Sequence, residues 1–73
     1  MNALSTVKKG QMHTVVALKP KTERTLIKLM ALGIMPGCQV KVEQQFPSYI
    51  ISMGRTRAAL DRETAEEIWV ERV

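Results

Sequence analysis

Side chains with reactive chemistry are scarce in this sequence. Cys38 is its only cysteine and His13 its only histidine. One cysteine cannot close an internal disulfide, which points to a reducing compartment. A catalytic nucleophile needs a base within hydrogen-bond reach and a third group to orient that base. His13 reads as a strand residue turned to solvent and Cys38 as a small residue at a strand start. They fall on different predicted strands, and nothing in their spacing joins them. There is no Cys-x-x-Cys, no histidine pair and no carboxylate loop of metal-ligand spacing. No glycine-rich loop matches a phosphate cradle. The expectation is a protein that is not an enzyme and carries no cofactor.

Other absences narrow the class further. No run of about 18 apolar residues is present, so no membrane-spanning helix is expected. The first residues, Met1 to Thr6, lack the basic-then-apolar pattern of a signal peptide, and a cytoplasmic setting is expected. The three aromatics, Phe46, Tyr49 and Trp69, do not share a strand that could stack bases, so no nucleic-acid partner is expected.

Hydrophobic residues make up 45% of the 73 positions, enough for one small packed core, and residues 1–73 read as one domain. The net charge of +4 is unevenly spread. Residues 1–42 hold seven Lys/Arg against Glu23, a balance of +6, whereas residues 43–73 hold four against six acids, a balance of −2. The basic half suits an acidic protein surface or a phosphate backbone.

Leu4 to Gly10 reads as an entering segment that turns at Lys8-Lys9-Gly10. Gln11 to Leu18 is rich in β-branched residues and predicts a strand, which Lys19-Pro20-Lys21 ends because proline cannot donate to a ladder. Thr22 is a candidate helix N-cap, with Glu23 in the first turn where its charge meets the positive end of the helix dipole. Leu26, Leu29, Met30 and Gly33 recur at helical spacing, predicting one amphipathic helix over Thr22 to Leu32. Gly33 suits the left-handed position that closes a helix, with Ile34 folding back onto Leu29. Pro36-Gly37 fits the centre of a type II turn. Strands are then predicted over Cys38 to Gln45, Tyr49 to Met53, Arg55 to Leu60 and Ile68 to Val73. Phe46-Pro47-Ser48 and Gly54 form the reversals, and Ala65 to Glu67 is expected as one turn of 3-10 helix. Short strands with tight turns suggest a small barrel, whose closure removes exposed edges. Met12, Met30 and Met53 fall at expected core positions, and Met35 at an exposed one in the turn. Glu63, Glu66 and Glu67 lie close in sequence, and His13 with Glu63 and Glu66 is the one candidate set for a weak divalent transition ion.

The pattern Lys28-Leu29-x-x-Leu32-Gly33-Ile34-x-Pro36-Gly37-x-x-Val40-x-Val42 resembles the signature of the ferrous iron transport protein A (FeoA) family. Gly10 with Val15 resembles the family's first strand. Phe46-Pro47, Ile50 and Gly54 resemble its middle hairpin. Ala59-Leu60, Ala65, Ile68 and Val70 resemble its closing turn and strand. The resemblance implies a mainly β fold, a small SH3-like β-barrel of about five strands with one amphipathic helix inserted after the first strand. The same barrel forms the C-terminal domain of iron-dependent repressors of the diphtheria toxin repressor type. The resemblance also implies a cytoplasmic accessory of bacterial ferrous iron uptake. Its partner would be the membrane iron transporter with a cytosolic GTP-binding domain, and self-association is left open. On that reading Lys19, Lys21, Arg24, Lys28 and Met35 form the contact surface, and Gly33, Pro36 and Gly37 are structural. The family usually carries arginine at Lys28; lysine keeps the charge without the bidentate fork. The alternative the resemblance allows is a transition-metal-binding or metal-sensing small barrel like the repressor domain.

Overall fold

The computed structural model describes residues 1–73. Strand β1 (Asn2–Ala3) leads into a 3-10 turn (Leu4–Thr6), followed by β2 (Met12–Leu18), helix α1 (Glu23–Ala31), β3 (Gln39–Gln44), β4 (Tyr49–Met53) and β5 (Thr56–Leu60). A short helix α2 (Arg62–Ala65) and β6 (Ile68–Arg72) complete the chain. The strands form one six-stranded sheet in the order β1-β6-β2-β3-β4-β5, with every pairing antiparallel.

The helix begins and ends as its residues dictate. Thr22 Oγ1 accepts the Thr25 backbone N–H at 3.2 Å and caps the N-terminus. At the other end Gly33 has φ +87°, a conformation that costs glycine nothing. Gly33 N–H donates to Met30 O at 3.0 Å and Ile34 N–H to Leu29 O at 2.9 Å, the paired bonds of a Schellman closure. The following turn is closed by Cys38 N–H to Met35 O at 3.1 Å, with Gly37 at φ +98° in the position a type II turn requires. Gly37 N–H then donates to Val15 O, and Val15 N–H to Cys38 O, both at 2.8 Å. The helix exit is thereby bonded into β2.

Fourteen buried hydrophobic residues form one core cluster. Leu4 and Val70 feed it from one end of the sheet, Ala58 and Leu60 from the other, so the sheet curls around a shared interior. Bulges in the β2–β6 ladder at Val16 and in the β3–β4 ladder at Glu43 bend the strands that must curl.

The structure corrects several expectations. The sheet is not a closed barrel: β1 and β5 are its two ends and do not pair. With only two residues β1 cannot extend a ladder to β5, and the 3-10 turn packs against α2 instead. The expected 3-10 turn at Ala65 to Glu67 is replaced by α2, which Asp61 caps by accepting the Thr64 N–H at 2.7 Å. Met12 and Met30 are not core residues, being 42% and 51% exposed, whereas Met53 is half-buried against the core. His13 does not point to solvent; only 4% of it is exposed. Met35 is exposed, as expected.

Candidate functional site

Helix α1 buries one residue completely, Leu29, and half-buries Thr25, Leu26 and Leu32 around it. Helical spacing puts Ile27 and Ala31 on the opposite side, with Met30 and Glu23 to one flank and Arg24 and Lys28 to the other. Ile27 is 59% exposed and Met30 51%, so the outer face carries an apolar strip edged by two cations. Neither cation is paired: the ion pairs of the fold are Lys41–Glu43 and Arg62–Glu66, each at 3.9 Å. Met35, in the turn beyond the helix, extends the exposed apolar surface.

The expected contact residues are not equally free. Arg24 and Lys28 lie four apart on one side of α1. Lys19 and Lys21 lie in the loop before it, both exposed. Lys19 Nζ sits 5.9 Å from the Trp69 ring centroid, a cation–π arrangement that restrains it. The Lys21 backbone N–H donates to Glu67 Oε2 at 3.1 Å, which fixes the loop and leaves the Lys21 side chain outside. Lys28 also acts at a distance on Asp61. The Thr64 hydroxyl and the Thr64 backbone N–H hold the Asp61 carboxyl below the usual aspartate range, and the Lys28 charge adds to the effect.

No three His, Cys, Asp or Glu side chains gather where they could hold a metal ion. Glu63 and Glu66 are exposed on and just after α2, with Glu66 paired to Arg62, while His13 is buried on β2 with Arg72 as its cross-strand partner. Cys38 is half-buried and its thiol is free.

Met30, expected in the core, lies on the outer face, and Ile27, on the neighbouring helical strip, is exposed with it. Nearly every position from Leu26 to Leu32 is apolar, so periodicity alone allows either stripe to face inward. His13 had a usable signal: it shares strand parity with Val15, and the strand period of two puts both on the core face.

A family model described as the FeoA domain matches residues 2–72. This chain belongs to the FeoA family. Solved structures agree. A crystal structure of an iron uptake regulatory protein (FeoA) is 26% identical, with a TM-score of 0.87 over 99% of this chain and 96% of that one. A FeoA-like protein from Clostridium acetobutylicum is 21% identical, with a TM-score of 0.85 over 99% and 86% of the two chains. A manganese-dependent transcriptional repressor bound to manganese has a TM-score of 0.92 at 17% identity, but the match spans only 36% of the repressor. That likeness shows a shared fold, the SH3-like domain of repressors. No curated protein matches the chain. FeoA membership gives the protein a role connected with ferrous iron transport. No helix is long and apolar enough to cross a membrane.

Proposed function

We propose that this FeoA protein is a non-catalytic cytoplasmic accessory that docks on the cytosolic GTP-binding part of the membrane ferrous iron transporter. The observation that carries this reading is the outer face of α1, where Ile27 and Met30 stand exposed beside the unpaired cations Arg24 and Lys28. An apolar strip edged by cations suits a partner surface with an apolar centre and an acidic rim, because apolar burial holds a complex while rim charges steer its formation. Lys21 and Met35 lengthen the surface at the two ends of the helix, and Lys19 supports it from its seat on Trp69.

The test is capture of the transporter's cytosolic domain by the wild-type chain, compared with Ile27→Asp and with the double variant Arg24→Glu/Lys28→Glu. Wild-type capture that both variants lose supports docking through α1; absence of wild-type capture overturns it. Calorimetry with Mn²⁺, Fe²⁺ and Zn²⁺ addresses the metal-sensing alternative. Micromolar binding abolished by His13→Ala or Glu66→Ala would put metal sensing in place of docking.

A further inference from the structure

A second site lies away from the helix, where the N-terminal segment meets the sheet. An open cleft of about 430 Å³ lies there. Its lining residues are polar except Val7 and include no carboxylate: Asn2 from β1, Thr6 and Lys8 from the segment after it, Gln11 just before β2, His13 near the start of that strand, and Arg72 from β6. His13 and Arg72 are direct cross-strand partners, so both sit at one wall of the cleft. Neither Lys8 nor Arg72 has an ion-pair partner, and the side-chain amides of Asn2 and Gln11 make no hydrogen bond within the fold. Three basic side chains, two of them fixed cations, therefore line one space with no acid to neutralise them.

His13 is the most constrained member. It is buried, and its Nδ1 lies 3.2 Å from the Gln11 carbonyl oxygen, so Nδ1 carries the hydrogen of that contact. No buried side-chain nitrogen or oxygen in the fold lacks a partner, and Nε2 has none, so Nε2 is the atom His13 opens to the cleft. In the neutral ring Nε2 offers only a lone pair. In the imidazolium it becomes a third donor beside Lys8 and Arg72. The groups that face it are Arg72 from β6, Lys8 and Thr6 from the N-terminal segment and the apolar Val40 from β3. No acid lies among them.

The geometry points to an oxyanion-binding site: the Lys8–His13–Arg72 cleft takes a sulfate- or phosphate-type group, free or carried on a small molecule. A tetrahedral oxyanion satisfies several charge-assisted donors at once and removes the repulsion between them. The same cations disfavour a metal ion at His13. This site stands independently of docking through α1.

The test follows backbone amide shifts of the full chain on titration with sodium sulfate at constant ionic strength. Saturable shifts confined to Lys8, Gln11, His13 and Arg72 are expected. Lys8→Gln and Arg72→Gln, both surface changes that leave the fold intact, should each weaken binding about tenfold. Competition of sulfate by inorganic phosphate alone assigns the site to a free ion. Competition by adenosine monophosphate, with added shifts at Asn2 and Thr6, assigns it to a phosphorylated small molecule. Shifts spread over Arg24, Arg55 and Arg57, or affinity unchanged by Lys8→Gln and Arg72→Gln, would overturn the proposal.

Discussion

Glu67 holds Lys21 across 46 positions of sequence, its Oε2 accepting the Lys21 backbone N–H at 3.1 Å. The Glu67 carbonyl takes the Lys19 N–H at 2.9 Å, so a single residue pins both sides of Pro20. Glu67 is buried, and its carboxylate sets the path by which the chain leaves β2 and enters α1. Glu67→Ala should cost about 1.5–3 kcal/mol, the usual worth of a hydrogen bond to a charged group. Glu67→Gln retains an acceptor oxygen and should lose less. Urea unfolding of the two variants measures the difference, and amide exchange at Lys21 should quicken in Glu67→Ala.

Gly33 can be tested without a steric confound. A Cβ built on it meets no atom within 4 Å, so substitution acts through φ +87° alone. Gly33→Ala should destabilise by about 1–2 kcal/mol, the cost of a left-handed residue. Gly33→Asn should cost less, because asparagine tolerates that region. Equal stability of all three proteins would remove the closure from the account of the helix end.

The direction in which α1 faces is open to direct measurement. Leu29 is fully buried, and Leu29→Ala should cost about 2–5 kcal/mol. Met30 is next to it in sequence and half exposed, and Met30→Ala should fall within about 0.5 kcal/mol of wild type. Thermal or urea unfolding of the pair is enough. Similar large losses in both would show that Met30 packs inward.

Asp61 gives the fold a dependence on acid. Its carboxyl is held below the ordinary aspartate value, so folding favours the charged form. That contribution is complete above the unfolded-state value of about 3.9 and is lost as pH falls through the lower folded-state value. Asp61→Asn keeps a capping oxygen but no charge. Its stability deficit should therefore be constant at neutral pH and shrink below about pH 4. A deficit that grew with acid would reverse the sign.

Much of the fold was legible because local chemistry decides it. Thr22, Gly33 and the Pro36-Gly37 pair each have one conformational use, and each sits in it. Tyr49–Met53 matches its predicted strand residue for residue, and the other long strands differ by one or two positions at their ends. Illegible features were set by tertiary contact. β1 exists only because β6 returns beside it, with Asn2 opposite Val70, and nothing local in Asn2-Ala3 marks a strand. Whether Leu29 or Ile27 turns inward depends on which side of the helix meets the sheet. The candidate surface was half legible: Arg24, Lys28 and Met35 are exposed where charge and turn chemistry put them, while the exposure of Ile27 and Met30 was hidden within an apolar run. The Lys8–His13–Arg72 cleft joins residues from both ends of the chain, and no spacing could announce it.

The two backbone bonds between the Met35–Cys38 turn and Val15 also have a mechanical meaning. They anchor the exit of α1 to β2, which lies inside the sheet with β6 on one side and β3 on the other. A load applied at the outer face of the helix passes through main-chain amides into an interior strand, not into a free edge that could peel. A grip on this small domain is a grip on its frame.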